Sequence, residues 1–345
     1  MAPAKHLAAV IVEGGNVEVK EVDVPKVGEN EVLVKVVAAA LNPTDWKTAK
    51  NSTKPGVVSG CDFAGIVEQL GPGAAVAGRT VGERVSTMVP GGRTANGAYA
   101  QYVVALAGAC MSIPESWTLE QAAQLPIGVY TACQCLYQSL ALPHPPAATT
   151  APLLIYGASS AVGLYTIQLA KLSGMTVYAV CSPKNFALVT SFGADATFDY
   201  RDPAVSEKIH AASGGAIRYA VDTISELGSA AIVGAAMSTE GGKIACILSY
   251  KDEDKAVLPA NVEPIFSLAY DLISDRPNAP SRLALAPVYA KLVTELLGAG
   301  KLVPTPIMVM PNGLASVNDG FAYMMEGKVS GQKIIYRIAD TPGLA

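Results

Sequence analysis

Small residues between an apolar run and a helical pattern could hold a phosphate group in the middle of the chain. Residues 153–156 (LLIY) predict a buried strand, and residues 162–172 have the apolar spacing of a helix. Gly157 and Ser160 lie between strand and helix, and Gly163 lies in the first turn of the helix. A dinucleotide-binding turn carries glycines at these three positions. Free amides in the first turn of a helix, and the positive end of its dipole, attract an anion. The segment therefore predicts a phosphate cradle, but an ordinary strand–helix turn fits the same spacing.

The middle position of this loop departs from glycine. Ser160 has a side chain that keeps the backbone farther from a pyrophosphate, while its hydroxyl adds a hydrogen-bond donor. Gly157 can make the tight turn, and Gly163 can let the helix approach the sheet. The residues predicted to contact phosphate are Ser159, Ser160, Ala161 and Val162.

The end of the next predicted strand bears on the choice of cofactor. Residues 177–180 form a second apolar run, which is followed by Ser182, Lys184 and Asn185. A fold that binds NAD places an acidic residue about 20 residues past the loop, where it accepts a hydrogen bond from the ribose 2′-hydroxyl. Residues 181–186 (CSPKNF) contain no carboxylate, whereas a hydroxyl, an ammonium and an amide can each donate to a 2′-phosphate. We therefore expect NADPH rather than NADH, although a polar turn with a solvated lysine would have the same composition.

The composition is typical of a large α/β protein. The chain has 345 residues, half of them hydrophobic, and this length favours two domains. A formal net charge of −4 argues against binding to nucleic acid. The spacing of the six cysteines matches neither a zinc knuckle nor a redox motif, which indicates a reducing compartment. No apolar run has the length of a secretory signal or a membrane span, so we expect a soluble cytoplasmic protein without a membrane partner.

The first third of the chain is rich in strand patterns. Residues 7–40 alternate as three or four antiparallel strands would, and residues 57–71, 82–89 and 97–105 continue the pattern. Residues 41–50 (LNPTDWKTAK) predict a short helix, with Thr44 or Asp45 as its cap. These patterns predict a partly closed barrel.

Helical patterns begin at Thr118, and strands alternate with helices from residue 153. Thr118 and Gln121 predict a helix start, and residues 129–140 predict a second, buried helix after a break at residues 126–128. Five strand patterns follow, with helices between them, at residues 153–156, 177–180, 196–199, 219–222 and 243–247. This alternation predicts a parallel, doubly wound sheet.

The last part of the chain is mixed. Residues 251–287 contain several prolines and no clean period. Residues 286–300 predict an amphipathic helix, and residues 301–310 and 331–338 contain strand patterns that would return to the first domain.

Several motifs occur in the order found in the medium-chain dehydrogenase/reductase superfamily, which the chain resembles along nearly its whole length. These motifs are LNPTDWK, GCDFAGIVEQLG, VGERV, GAYAQYVV, LEQAAQLP and GKVSGQKIIYRI. The resemblance implies an α/β protein with a GroES-like, partly open β-barrel catalytic domain and a Rossmann domain whose parallel sheet is doubly wound. The implied catalytic domain spans residues 1–125 and 290–345, and the implied NADPH-binding domain spans residues 126–289.

Within that superfamily the chain is most similar to the zinc-independent quinone oxidoreductases and enoyl reductases. The motifs CSPKNF and GADATFDYRD and the extended region 250–287 are similar to those of the fungal trans-acting enoyl reductases that serve polyketide synthases. Where zinc alcohol dehydrogenases hold their catalytic metal, the chain has Asn42, Cys61 and Asp62, with no histidine nearby. Since asparagine is a poor zinc ligand, we expect no metal.

The resemblance also implies roles for individual side chains. Lys47 matches a position at the mouth of the hydride site, Thr131 matches a threonine that faces the nicotinamide ring, and Asn42 lies in the same loop as Lys47. The alternatives are an ordinary surface lysine and a helix threonine bonded to its own turn. Further cofactor contacts are implied for Pro43, Thr44, Tyr200, Asp222, Leu248 and Lys333.

The implied activity is NADPH-dependent reduction of an α,β-unsaturated carbonyl or enoyl thioester, with a polyketide synthase as a partner. The alternatives are an NADPH:quinone oxidoreductase and a non-catalytic protein that binds NADPH. Mitochondrial-type enoyl reductases have a proton-donating tyrosine shortly after the NP motif, but residues 42–60 contain none, so we expect the proton from water or Lys47. Charges and a proline in residues 249–261 discourage pairing of edge strands, and we expect a monomer.

Overall fold

A computed structural model describes residues 2–52, 54–277 and 280–344, and the chain divides into two compact units. Unit 1 comprises Met1–Ile127 and Tyr270–Ala345, and unit 2 comprises Gly128–Ala269. By packing, residues 270–289 therefore belong to unit 1, whereas the sequence analysis assigned them to the nucleotide-binding domain. The boundaries inferred from the sequence for the catalytic domain and the NADPH-binding domain stay a prediction. Residues 278 and 279, in the region without a clean period, lie outside the described residues.

The first elements of unit 1 are mainly strands. In chain order they are β1 (Lys5–Ile11), β2 (Val17–Asp23), β3 (Glu31–Ala40), α1 (Pro43–Asn51), β4 (Asp62–Leu70), β5 (Arg84–Met88), β6 (Tyr102–Leu106), β7 (Met111–Ser112) and α2 (Leu119–Ala123). Helix α3 (Pro126–Cys133) contains the unit boundary and continues as one π-helical segment over Gln134–Ser139.

Unit 2 alternates strands with helices. Its elements are β8 (Pro152–Tyr156), α4 (Ala161–Leu172), β9 (Thr176–Cys181), α5 (Phe186–Ser191), β10 (Ala196–Asp199), α6 (Val205–Ala212), β11 (Tyr219–Asp222), α7 (Ser229–Ala236), β12 (Gly242–Cys246), α8 (Asp252–Ala256) and β13 (Val262–Phe266).

The chain then returns to unit 1. The returning elements are α9 (Leu285–Gly298), β14 (Ile307–Met310), α10 (Val317–Met325) and β15 (Lys333–Arg337).

Antiparallel pairing dominates unit 1, as its alternating sequence predicts. Among the described residues, strands in the order β14-β15-β3-β4-β5-β7 form one sheet, β6 also pairs with β3, and β1 and β2 form a separate hairpin. Only β14 and β15 in this sheet run parallel. The apolar side chains of the sheet enclose a core that includes Phe63, Tyr99 and Tyr336. This barrel-like sheet confirms the predicted GroES-like architecture.

In unit 2 the described strands form a parallel sheet in the order β10-β9-β8-β11-β12-β13. Numbered from β8, this order is 3-2-1-4-5-6, that of the Rossmann fold, and the order reverses between β8 and β11. Buried apolar residues such as Leu154, Val180 and Ile244 form the core beneath the helices. The predicted doubly wound fold is confirmed.

The glycine loop of unit 2 makes the tight turn predicted at Gly157, whereas Gly163 packs against the loop rather than against the sheet. Gly157 has a φ of +73°, and a Cβ atom there would lie 2.4 Å from Thr223 Oγ1. At Gly163 a Cβ atom would lie 2.6 Å from the carbonyl oxygens of Gly157 and Ala158. Each position therefore needs glycine, the first for its turn and the second for the approach of α4 to the loop.

The structure adds to or differs from the sequence-based expectations at three places. Strand β13 lies in the region for which no regular element was predicted; Pro264 weakens the strand pattern but is tolerated because β13 is an edge strand. Pro126 is the first residue of α3 rather than a break, since proline suits the first helical turn. The cap position of helix α1 is Asn42 rather than Thr44 or Asp45. Asp45 nevertheless takes part in the cap, because its carboxylate accepts a hydrogen bond from the Asn42 backbone N–H.

Two further expectations concern the environment of the protein. All six cysteines are buried, free thiols. Within the described ranges, every helix is too short or too polar to cross a membrane. The compartment and the oligomeric state stay predictions.

Candidate active site

A lysine, an asparagine and an aspartate meet inside unit 1, and we call this group the Lys333 network. Lys333 begins β15, Asn42 precedes α1 and Asp62 begins β4; β3 lies between β15 and β4 in the sheet and brings their ends together. Lys333 Nζ donates to Asn42 Oδ1 and lies 3.5 Å from Asp62 Oδ2. Asn42 Nδ2 donates to the same carboxylate oxygen at 2.8 Å. Both polar atoms of the asparagine side chain are therefore occupied.

The Lys333 network is almost completely buried. The exposed fractions of Lys333, Asn42 and Asp62 are 4%, 3% and 0%. The other oxygen of Asp62 accepts a hydrogen bond from the backbone N–H of Ile127 at 3.0 Å. Burial raises the pKa of Asp62 to about 6, against the opposing effects of the Lys333 charge and the Asn42 hydrogen bond. The carboxylate thus depends on the ammonium for its charge compensation.

A second buried carboxylate holds the start of α1. Asp45 Oδ2 accepts hydrogen bonds from the Asn42 backbone N–H at 2.7 Å and from the Tyr99 hydroxyl at 2.9 Å. Burial raises the pKa of Asp45, and its hydrogen bonds with Cys61, Asn42 and Tyr99 act in the opposite direction. The loop with the NP motif is therefore fixed through its backbone as well as through the Asn42 side chain.

A tyrosine from a distant part of the chain contacts the same loop. The Tyr270 hydroxyl lies 2.8 Å from Cys61 Sγ and donates to Thr44 Oγ1 at 3.3 Å. Burial raises the pKa of Tyr270, so the phenol stays protonated at neutral pH. No local pattern marks this residue, because Tyr270 lies in the region without a clean period and is separated from Thr44 by 226 positions.

The remaining candidate residues of unit 1 lie on α1. Pro43 is exposed and Thr44 is half-buried at the first turn. Lys47 is half-buried, and its ammonium lies 5.7 Å from the centre of the Trp46 ring. The structure thus brings Asn42, Thr44 and Lys333 into one region, with Lys47 on the following turn of the same helix.

In unit 2 the candidate cofactor residues follow the carboxyl ends of the parallel strands. Ser159 and Ser160 follow β8, Ser182 to Asn185 follow β9, Tyr200 follows β10, Asp222 ends β11 and Leu248 follows β12. In open α/β sheets, ligands bind at this edge, at the point where the strand order reverses. The two strands at that point are β8 and β11.

Hydrogen bonds tie the glycine loop to its neighbours. Ser160 Oγ accepts from the Gly163 backbone N–H and donates to Thr223 Oγ1, both at 2.9 Å. Asn185 Nδ2 donates to Ser159 Oγ at 3.0 Å. The Ser160 hydroxyl therefore serves as the helix cap. The backbone amides of Ala161 and Val162 precede the first intrahelical bond, from Leu164 to Ser160, and are the groups of this loop best suited to an anion.

Asp222 has a carboxylate that is saturated inside unit 2. One oxygen accepts from the backbone N–H groups of Ile224 and Ser225, each at 2.9 Å, and the other accepts from the hydroxyls of Ser229 and Tyr250. The Asp222 side chain therefore fixes the end of β11. A cofactor at this position would contact the backbone of Asp222 rather than its carboxylate.

Other candidates of unit 2 differ in exposure. Lys184 is exposed and Ser182 is half-buried. Tyr200 is 43% exposed, with the Arg201 guanidinium 5.6 Å from its ring centre, and Leu248 is 38% exposed. Thr131, on α3, is 5% exposed. Their assigned roles stay predictions.

We predict that Lys333→Met lowers the free energy of unfolding by about 3–5 kcal/mol, because it leaves Asp62 charged and uncompensated in the interior. The folded-state pKa of Asp62 already lies above its unfolded value, and loss of the ammonium raises it further. A carboxyl with a raised folded pKa costs stability as the pH rises through that pKa. The deficit relative to the wild type, measured by denaturant unfolding, is thus smaller at about pH 5 than at about pH 8.

Lys328→Met is the matched control, since Lys328 pairs with Glu326 at the surface and an exposed pair contributes about 0–1 kcal/mol. Equal, small losses in both variants would show that the Lys333 network does not hold the loop.

Comparisons with known proteins cover both units. The model for the alcohol dehydrogenase GroES-like domain matches residues 28–115, and that for the zinc-binding dehydrogenase matches residues 161–266. The trans-enoyl reductase ACTTS2 of Alternaria alternata is 37% identical over 338 residues, which cover 96% of this chain and 98% of that protein. The trans-enoyl reductase resD of Aspergillus sclerotiorum is 37% identical over 343 residues, which cover 91% and 94% of the two chains.

Solved structures show the same fold. The crystal structure of CurK enoyl reductase matches with a TM-score of 0.79 at 19% identity and covers 97% of this chain and 99% of its own. A mycobacterial quinone oxidoreductase matches with a TM-score of 0.74 at 21% identity and covers 96% and 99%. From the full-length sequence relationships and this fold, the chain belongs to the medium-chain dehydrogenase/reductase superfamily of oxidoreductases and, within it, to the family of the fungal trans-enoyl reductases.

Proposed function

We propose that this protein is an NADPH-dependent, zinc-independent reductase of carbon–carbon double bonds conjugated to a carbonyl. Its acceptor is an enoyl thioester, including one held on the carrier of a polyketide synthase. The observation that carries the proposal is the relation to proteins named trans-enoyl reductases at 37% identity over more than nine tenths of the chain.

The chemistry requires a hydride, a proton and a place for negative charge. A bound nicotinamide supplies the hydride. As the new C–H bond forms at the β-carbon, the electrons of the double bond move onto the carbonyl oxygen as an enolate, and protonation of the α-carbon completes the reduction. The task of the protein is to hold the acceptor and to stabilise the developing oxyanion. The residues proposed for this task are Lys47, Thr131 and Asn42.

The residues at the position of the zinc site in alcohol dehydrogenases do not fit a zinc ion. The Asn42 amide oxygen is occupied by the Lys333 ammonium, a cation that would repel a metal. Both Asp62 oxygens are already bound, one of them beside the same ammonium. Among the described residues there is no cluster of three or more histidine, cysteine or acidic side chains that could hold a metal. We therefore assign no step to zinc.

The loops of unit 2 fit a nicotinamide dinucleotide. The amides at the start of α4 offer donors to a pyrophosphate, and Gly157 and Gly163 leave room for the close turn. Ser182 and the exposed Lys184, after β9, are the proposed partners of the 2′-phosphate. The preference for NADPH over NADH rests on these two side chains and on the absence of a carboxylate from residues 181–186.

Tyr270 is a third candidate for the proton donor, beside Lys47 and water. Residues 42–60 contain no tyrosine, yet the fold supplies a protonated phenol to Thr44 in the loop after Asn42. Thr44 is half-buried, and a hydroxyl can donate one proton while it accepts a hydrogen bond from Tyr270. We propose the pair Tyr270–Thr44 as an alternative route.

The proposal is tested by the oxidation of NADPH with a short enoyl thioester, compared with a simple quinone and with NADH as the cofactor control. We expect turnover of the thioester with NADPH and a Lys184→Ala variant with a KM for NADPH raised about tenfold, since a charge-assisted hydrogen bond contributes about 1.5–3 kcal/mol. Turnover of the quinone alone would identify a quinone reductase. Binding of NADPH with no turnover of thioester, quinone or carrier-bound enoyl substrate would support a non-catalytic protein.

The source of the proton is tested by Lys47→Ala and Tyr270→Phe. Loss of a general acid lowers kcat by about 10²–10⁴-fold, and we expect such a loss in one variant, with the dissociation constant of NADPH unchanged. A slow Lys47→Ala variant would assign the proton to the ammonium, and a slow Tyr270→Phe variant would assign it to the phenol. Unchanged kcat in both would remove both residues from the mechanism and leave water.

A further inference from the structure

We infer that a basic pocket on unit 1 binds the 4′-phosphate of a phosphopantetheine thioester. The pocket has a volume of about 430 Å³ and lies between the C-terminal half of α1, the turn after it and the loop around Gly92. This volume is within the roughly 300–1,000 Å³ of ordinary ligand pockets. The inference rests on the proposed function, because carrier-bound and coenzyme A thioesters share this phosphate.

Three cations from three different segments line the pocket. Lys47 lies on α1, Lys54 on the turn after the helix, and Arg93 on the loop after Gly92. Throughout the described part of the chain, none of the three forms an ion pair with a carboxylate. Arg79 and Arg84 of the same unit, by contrast, lie within 3.0 Å of glutamate oxygens. Three uncompensated positive charges around one pocket, in a protein with a net charge of −4, favour an anion as the ligand.

Aromatic rings hold two of these cations near the pocket. The Lys47 ammonium lies 5.7 Å from the centre of the Trp46 ring, and the Arg93 guanidinium lies 5.4 Å from the centre of the Tyr270 ring. Such cation–π contacts restrict long, otherwise mobile side chains. Less conformational entropy is then lost when an anion binds.

The shape of the pocket depends on Gly92. Its φ is +75°, and a Cβ atom there would lie 2.7 Å from Thr48 Cγ2 on α1. The positive φ and the close contact with Thr48 therefore favour glycine at this turn, which is followed by Arg93, a lining residue of the same pocket as Lys47. Thr48 and Ser52 line the same pocket. The Thr48 hydroxyl can donate to a phosphate oxygen, whereas the Ser52 hydroxyl donates to the Lys54 carbonyl oxygen at 3.2 Å.

Cations close to a helix C-terminus also have a simpler explanation, since they stabilise the negative end of the helix dipole. That explanation suits Lys50, in the last turn of α1, and in part Lys54. It does not account for Arg93, which comes from another segment, or for Lys47, which lies a turn earlier. Phosphate binding accounts for Lys54 and Arg93 together. Lys47, which is nearer to Thr44 along α1, adds positive charge at that end of the pocket and keeps the role proposed for it in the reaction.

The pocket is connected to the loop proposed as the active site. Arg93 covers the ring of Tyr270, whose hydroxyl donates to Thr44. Thr44 and Asn51, seven residues apart on α1, are separated by about 10 Å along the helix axis. An extended pantetheine arm can span this distance, with its phosphate in the pocket and its thioester near Thr44.

The test compares the KM values of crotonyl-pantetheine, crotonyl-4′-phosphopantetheine and crotonyl-coenzyme A. We expect the wild type to favour the two phosphorylated substrates, and the Lys54→Gln/Arg93→Gln variant to lose about tenfold of that preference. Lys50→Gln is the matched control: Lys50 is on the same helix and contacts the same Trp46 ring, but it does not line the pocket. Its preference should stay that of the wild type. Equal preference in the double variant and the wild type would overturn the inference.

The same substrates distinguish the 4′-phosphate from the phosphates at the nucleotide end of coenzyme A. A loss of preference shared by phosphopantetheine and coenzyme A supports the 4′-phosphate as the ligand. A loss confined to coenzyme A would assign the pocket to the phosphates of its nucleotide end and contradict the inference.

A binding measurement separates this inference from the proposed function. Calorimetric titration of 4′-phosphopantetheine into the protein without NADPH needs no turnover. We expect the double variant to bind about tenfold more weakly than the wild type. Such a loss supports the site even if the protein reduces no thioester. Equal binding by the double variant and the wild type would remove the site, whatever the activity. Thermal unfolding of each variant checks that these exposed substitutions leave the fold intact.

Discussion

A single buried ammonium, that of Lys333, is the interaction on which the proposed active site depends. It lies beside Asp62 and Asn42 where three chain segments meet in the sheet of unit 1. An isolated charge in a protein interior is costly, so Lys333 and Asp62 require one another. Because Asn42 bridges the two, the charge pair also fixes the loop that begins α1. Asp45 holds the same loop from its backbone, and Tyr270 holds it through Thr44.

This arrangement suits the metal-free chemistry that we propose for a fold which also serves zinc alcohol dehydrogenases. A metal stabilises an alkoxide directly, whereas an enoyl thioester already carries a carbonyl that takes up the negative charge. In the proposed reaction the protein needs a rigid loop and a proton source near the acceptor. The Lys333 network supplies rigidity, and Lys47 and the Tyr270–Thr44 pair are the candidate proton sources.

The sequence predicted what depends on short-range patterns. Apolar periods identified the strands of the Rossmann sheet from β8 to β12, and Thr118 with Gln121 identified the start of α2. Edge strand β13 was missed because Pro264 breaks the pattern that a central strand would show. The contacts that build the site join residues separated by 291 and 226 positions, and no local pattern encodes such pairs. Asp62 did give a signal, since a carboxylate in an apolar segment needs a partner, but no local pattern identified Lys333, 271 positions away, as that partner.

The central claim is that the chain transfers hydride to an enoyl acceptor without a metal. The most direct measurement uses protein dialysed against a strong chelator, crotonyl-coenzyme A and NADPH deuterated at the transferred C4 position, with the product analysed by NMR. We expect undiminished turnover and one deuterium at the β-carbon of the saturated thioester. Loss of turnover that added zinc restores, or a product without deuterium at the β-carbon, would contradict it.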